Sequence, residues 1–268
     1  MRQDFSGAAA SYDGAAVLAR EVGRRMAERL DMVRIAPARI ADIGCATGDG
    51  IRELQRRYPG ALPLALDFAP PMLARLMRHT PWLERLRRRA PRCVAADARA
   101  LPLAGGTLGL AWSNLMLHWL DDPLPAFSEL HRVLQVAGLL MFSALGPDTL
   151  QELRQAGATT LRRFHDMHDL GDMLLAAGFA DPVMDMERIE LTYAGARGLL
   201  RDQRALGVRD GLLGAMGFRE GRRVFRAWQA QRRAGRLPAT FEIVYGHAWK
   251  AEPSQVRDGR SIVRFHTR

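Results

Sequence analysis

Between residues 39 and 145 the chain repeats one pattern about five times: a short apolar run closed by a polar residue, then a segment with helical spacing. The runs are 39-RIADIG-44, 62-LPLALD-67, 93-CVAAD-97, 108-LGLAWSN-114 and 138-GLLMFSAL-145. Between them, apolar residues recur at three- and four-residue intervals. One predicted helix covers 49–58 and stops at Pro59-Gly60, another starts at Pro70-Pro71, and a third covers 122–136 ahead of Gly138. Short, continuously apolar strands that alternate with helices are covered on both faces, which implies an α/β fold with a doubly wound parallel sheet. Ligands of such sheets bind at the carboxyl ends of the strands. Those ends are Asp42 to Gly44, Asp67, Asp97, Asn114 and the segment after Leu145.

The first of these ends opens the turn 41-ADIGCATGDG-50. A dinucleotide turn needs glycines at G-x-G-x-x-G so that backbone can approach a pyrophosphate. Here the glycines are Gly44, Gly48 and Gly50, and Ala46 stands at the second glycine position. The spacing fits a different nucleotide turn, in which Asp42 ends the strand, Gly44 opens the turn and Gly48 lets backbone lie close to an amino acid moiety. Asp67, at the second strand end, is placed to accept from both ribose hydroxyls, a bidentate role suited to a carboxylate. Asp97 is placed to accept from an adenine amine. Phe68, Met72, Ala98 and Asn114 complete the expected cofactor set.

Composition narrows the partners. No apolar run approaches the roughly 20 residues that span a bilayer, and the N-terminal stretch carries an early acid and no leader-like apolar segment. A cytoplasmic protein with no membrane contact is expected. Two cysteines, Cys45 and Cys93, are too few for a disulfide framework or a cysteine-based metal site. The net charge of +10 favours an acidic partner. Its arginines (Lys250 is the sole lysine) are spread over several helices without a nucleic-acid reading motif, so no nucleic acid is expected. His165, His168, Asp166 and Asp169 read as helix-cap surroundings, with Asp169 as the cap, and no metal is expected.

Beyond residue 150 the rhythm changes. Residues 1–34 read as an N-terminal helical segment with an amphipathic helix over 14–33, and 35–196 as the α/β core. A helical insertion covers 197–237, a last strand 238–250, and a polar tail 251–268 is expected to fray. Several stretches outside the turn now carry a resemblance. They are FSGAAASYD, SNLMLHWLDDP, SALGPDTLQELR, DMHDLGDMLLAAGFADPVMDME, LTY and PATFEIVYGHAWK. With the turn and its acids, the chain resembles the class I methyltransferases, and from about Phe5 to Lys250 the malonyl-[acyl-carrier protein] O-methyltransferases of biotin synthesis. A second resemblance is to a complex I assembly factor that hydroxylates a protein arginine, and a third reading is a cofactor-binding relative without turnover.

The first resemblance implies a Rossmann-like, seven-stranded doubly wound sheet with a helical lid insertion, and S-adenosyl-L-methionine as cofactor. It implies malonyl-loaded acyl carrier protein, or malonyl-coenzyme A, as substrate, methylated on its free carboxylate. A carboxylate is already ionised at pH 7, so no general base is required. Tyr12 is expected to close over the cofactor or orient the acid. His118 and Trp119 stand at the mouth after the fourth strand. Arg201 and Arg204, in the insertion, are candidates to meet the malonyl carboxylate or the carrier's phosphate. The arginine-rich helix at 219–235, with Phe225 and Trp228, is a candidate carrier face. Two departures from the relatives stand out: Ala46 for the commoner glycine, mild if its φ is negative, and Asp210, near which relatives more often show asparagine.

Overall fold

The computed structural model describes residues 2–86 and 89–252, less the side chains of 2–4, 209 and 210. Seven strands, β1 (Arg39–Ile43), β2 (Leu62–Asp67), β3 (Arg92–Ala95), β4 (Leu108–Asn114), β5 (Leu134–Leu145), β6 (Ala180–Tyr193) and β7 (Leu237–Trp249), form one sheet. Their order is β3-β2-β1-β4-β5-β7-β6. The first five are parallel, and β7 runs antiparallel to both β5 and β6. This is the seven-stranded doubly wound sheet expected. The order reverses beside β1, where β2 leaves to one side and β4 to the other, and that is where a crevice opens above the strand ends.

Alternation along the strands feeds two apolar layers. Ile40, Leu110, Trp112, Leu139 and Met141 point to one face. There they meet helices α3 (Val17–Leu30), α4 (Asp49–Arg57) and α5 (Pro70–His79), preceded in the chain by α1 (Arg2–Ala8) and α2 (Tyr12–Ala15). Ala41, Ile43, Ala111, Leu140 and Phe142 point to the other. Short α6 (Trp82–Leu86) and α8 (Gln151–Gln155) aside, that face is covered by α7 (Leu124–Val133) and α9 (Met167–Ala176).

Three boundaries differ from the sequence reading. The helix over 14–33 is broken at Ala16 into α2 and α3. The α7 helix ends at Val133, because Leu134 already pairs with Leu108 in the sheet. A register shift between Leu108 and Leu110 then absorbs the extra residues, with Ala137 at φ 57°. The cap of α9 is Asp166, whose Oδ1 accepts from the N–H groups of His168 and Asp169 at 2.7 and 2.9 Å, so Asp169 sits inside the first turn. Residues 253–268 of the expected tail lie outside the described residues.

Between β6 and β7 the chain forms three helices, α10 (Ala196–Ala205), α11 (Arg209–Leu213) and α12 (Phe218–Gln229). Trp228 anchors α12, fully buried with its indole N–H donating to Pro238 O at 2.8 Å. The N-terminal helices are tied down too. Arg25 donates to Glu187 at 2.5 Å, and the Arg29 guanidinium lies 3.8 Å over the Tyr245 ring, so α3 is held against β6 and β7.

Phe127 of α7 is fully buried edge-to-face on Phe142 of β5, with centroids 5.3 Å apart. Phe127→Ala is expected to cost about 3–5 kcal/mol, the range for an aromatic replaced by a cavity. Equilibrium urea unfolding reads this directly, and a loss below about 1 kcal/mol would show that this layer does not carry the fold.

Candidate active site

The crevice holds a cavity of about 460 Å³ above the ends of β1, β2 and β4. Its floor is the turn after β1. Gly44 N and Cys45 N donate to Leu66 O at 2.8 and 3.0 Å, which folds the turn back against β2. Ala46 sits at φ 45°, in the left-handed region. An L residue with a Cβ costs about 1–2 kcal/mol there, so the alanine is not the mild departure that a negative φ would have made it. What holds it is Asp67. Its Oδ2 accepts from Ala46 N at 2.9 Å and its Oδ1 from Ala69 N at 2.8 Å, at the start of α5.

Asp67 is 6% exposed, and burial pushes its pKa up while the backbone N–H groups oppose the shift. Each carboxylate oxygen takes one backbone hydrogen bond and has a further lone pair. That geometry fits a vicinal pair of hydroxyls, and Gly44, Ala46, Phe68, Met72 and Ala98 line the same cavity.

Of the other expected cofactor residues, Asp42 and Gly48 serve the site from behind it, and Asn114 and Asp97 line it. Asp42 does not line the cavity. It is buried beneath the start of α4, accepts from the Ile51 N–H, and is pushed up to about 8 by burial and then by the charge of Asp67. Gly48 also lies outside the lining. It is the N-cap of α4 at φ 92°, and a Cβ there would stand 2.6 Å from the Leu76 side chain, so close packing of α4 on α5 requires glycine. Asn114 lines the cavity with its amide already engaged: Nδ2 donates to Ala19 O at 2.8 Å and Oδ1 accepts from Ser143 Oγ at 2.8 Å. It thereby pins α3 to the strand ends. Asp97 lies past the end of β3 and lines the cavity, held by Arg99 at 2.7 Å, which keeps its pKa below the ordinary carboxylate value.

Of the residues expected to act on the substrate, three meet at the cavity and two do not. Tyr12 is half-buried against Ala69 and Met72, and burial, then the charge of Asp67, pushes its hydroxyl pKa well up. Trp119 forms a wall, edge-to-face with Phe5 at 5.9 Å. His118 lies in the 3-10 turn Leu117–Trp119, 6% exposed, and burial with the nearby Arg162 charge pushes its pKa down to about 3. Its Nδ1 accepts from Leu145 N at 3.3 Å, so the neutral ring carries its proton on Nε2, a buried donor with no partner.

Arg201 and Arg204 are exposed on α10 and do not line the cavity. The same helix presents Asp202 and Gln203 instead, and Gln203 is buried with its Oε1 unpartnered. The sequence held a signal for this: Leu199, Gln203 and Leu206 follow helical spacing, which puts Gln203 on the inward stripe and Arg201 and Arg204 off it. Tyr193, at the end of β6, is a further wall residue not expected from sequence; burial and then Asp202 push its pKa up to about 12. The side chain of Asp210 lies outside the described residues.

Two measurements check this geometry. Ala46→Gly is expected to raise stability by about 1 kcal/mol, since it relieves a left-handed alanine; an unchanged or lower unfolding midpoint would contradict the strained turn. The second concerns His118, which titrates near 6.5 when unfolded and about 3 when folded. Between those values the unfolded chain binds the extra proton, so this group's stabilisation is present above about pH 6.5 and is lost as pH falls. Urea unfolding at pH 7.5, 6 and 5 should show the margin of wild type over His118→Gln narrowing by up to about 1.4 kcal/mol per pH unit. A constant margin would mean that His118 is not buried neutral.

Comparison with known proteins shows the family. The family described as Methyltransferase domain matches residues 41–142, the segment from the cofactor turn to β5. The malonyl-[acyl-carrier protein] O-methyltransferase of Laribacter hongkongensis is 51% identical, over 99% of this chain and 95% of that protein. Its namesake from Gallionella capsiferriformans is 49% identical, over 98% and 94%. Among solved structures, the YcgJ protein of Bacillus subtilis superposes with a TM-score of 0.61 at 12% identity, over 86% of this chain and 99% of that one. The Haemonchus contortus phosphoethanolamine N-methyltransferase 2, solved with S-adenosylhomocysteine, gives a TM-score of 0.53 at 15% identity, over 86% and 52%; these two show the fold alone. The chain belongs to the malonyl-[acyl-carrier protein] O-methyltransferase family of S-adenosylmethionine-dependent enzymes.

Proposed function

We propose that the chain methylates the free carboxylate of a malonyl group held as a thioester on acyl carrier protein, an early step of biotin synthesis. The observation that carries the reading is the character of the cavity beside His118. Four carboxylates line it, Asp67, Asp97, Asp121 and Asp202, against one guanidinium, Arg99, which Asp97 already holds. A negative wall favours a cationic cofactor. S-adenosylmethionine, when bound, supplies the methyl group from a positively charged sulfur.

In this reading Asp67 takes the ribose hydroxyls, the turn at Gly44 and Ala46 lies along the amino acid part, and Met72, Phe68, Ala98 and Asp97 enclose the base. Asp42 and Gly48 shape the turn from behind. The substrate carboxylate is received by neutral donors: the His118 Nε2–H and the hydroxyls of Tyr12 and Tyr193, with Trp119 closing the side. Neutral donors orient an anion without drawing away the electron pair that must attack. Walls of Leu, Met and Phe strip its water, which a charge-losing reaction requires. Alignment of the attacking oxygen supplies the rest.

The helices α10–α12 act as a lid in this proposal, with 197–237 as a unit set on the core of 35–196 and the strand at 238–250. Ser11 Oγ donates to Ala205 O at 2.9 Å, joining that lid to the N-terminal segment 1–34. Arg201 and Arg204 of α10, and Arg219, Arg222 and Arg226 of α12, are exposed and give the lid a basic outer face. An acidic carrier protein gains encounter rate and register from such a face, which favours the carrier over coenzyme A as donor. No helix among the described residues is long and apolar enough to cross a membrane.

The direct test uses labelled S-adenosylmethionine with malonyl-carrier protein. A methyl ester that base releases is expected; cofactor binding without transfer to either malonyl-carrier or malonyl-coenzyme A would refute the function. Asp67→Ala should weaken cofactor binding by about 1.5–3 kcal/mol by calorimetry, the loss expected for hydrogen bonds to a charged acceptor. Unchanged affinity would remove Asp67 from the ribose position.

A further inference from the structure

A second cavity of about 180 Å³ adjoins the first. The two share His118, Leu120, Asp121 and Leu145 as wall residues. The smaller one continues past them to Arg163 and His165, which the larger does not touch. Pro123, Ala144, Phe164 and Leu170 give the smaller cavity further apolar wall.

Its two arginines differ. Arg162 is tied to the His118 turn: Nε donates to His118 O at 3.2 Å, and Nη2 donates to Trp119 O at 3.1 Å and Asp121 Oδ1 at 2.8 Å. That guanidinium ties the segment around Phe164 to the turn that carries His118. Arg163 is exposed, and among the described residues no carboxylate or carbonyl is bonded to it. An available guanidinium and apolar side chains thus line a cavity that shares the His118, Leu120, Asp121 and Leu145 wall with the larger one.

We propose that the smaller cavity receives the phosphopantetheine arm of the thioester, with Arg163 meeting the phosphate and the malonyl end passing the shared wall residues into the larger cavity beside His118. The proposal rests on the function stated above and names the side from which its substrate arrives. The chemistry matches along the length: an anion at the basic mouth, a slender and largely uncharged arm between apolar walls, a reacting carboxylate at the inner end. Arg201 and Arg204 reach neither cavity, so they are free to meet the carrier's own acidic surface and are not on the path of the arm.

Three donors separate the parts of the arm: malonyl-carrier protein, malonyl-coenzyme A, and the malonyl thioester of N-acetylcysteamine, which ends before any phosphate. Arg163→Glu should raise KM about tenfold for the two phosphate-bearing donors relative to the N-acetylcysteamine thioester. Arg163→Lys should recover most of that change, which a structural role for the side chain would not produce. Cofactor affinity, measured calorimetrically, should move with neither variant. An unchanged ratio of KM values in Arg163→Glu, with wild type active, would overturn the arm's route and leave the function standing. So would a phosphate-dependent rise confined to Arg201→Glu. Wild type inactive on all three donors would overturn both.

Discussion

The Asp67 carboxylate is the interaction on which the site depends. It joins the turn after β1 to the start of α5 through Ala46 N and Ala69 N, and it is nearly closed off from water. A buried carboxylate is costly unless hydrogen-bonded, and here the compensating donors are backbone groups of the two segments that border the cavity. The same bond holds Ala46 at a φ its side chain disfavours. Cofactor turn, helix start and proposed ribose acceptor are thus one structure. Asp42 supports it from below by accepting from α4, close enough to Asp67 for that charge to raise the cost of ionising Asp42.

On the side of the cavity proposed for substrate stand four neutral groups, a histidine kept neutral, two tyrosines kept protonated and a buried glutamine, beside the carboxylates of Asp121 and Asp202. None of the four carries charge at neutral pH. Such a wall suits a nucleophile that is already ionised and needs only to be positioned and dried. Of the cationic groups nearby, Arg99 is locked on Asp97 and Arg162 on the His118 turn, while Arg201 and Arg204 of the lid and Arg163 of the second cavity stand outside the first.

Much of this was legible in the sequence, and the exceptions have physical causes. The five apolar runs identified the parallel strands because both faces of each are buried, and Asp67 and Asn114 were found because strand ends border the crevice. Asn114 nevertheless spends its amide on Ala19 and Ser143, a tether that depends on a helix 95 residues away in sequence. Ala46 gave no sign of a positive φ, because alanine is at home in any ordinary turn; its conformation is imposed by Asp67. Arg201 and Arg204 were singled out for their charge, whereas the apolar phase of α10 turns Gln203 inward. The fourth helix residue at Leu199, Gln203 spacing would have shown it. Asp166 rather than Asp169 caps α9 because the first turn begins at Met167, three residues earlier than a cap at Asp169 would place it.

The central claim is that the chain positions an ionised carboxylate with neutral donors and uses no base. The pH dependence of single-turnover methyl transfer to malonyl-carrier protein, with cofactor saturating, tests it most directly. The expected result is a rate constant that is flat from about pH 6 to pH 9, because the substrate acid is ionised throughout and His118 stays neutral. A rate that rises with an apparent pKa near 7, and loses that rise in His118→Gln, would contradict it and make His118 a general base.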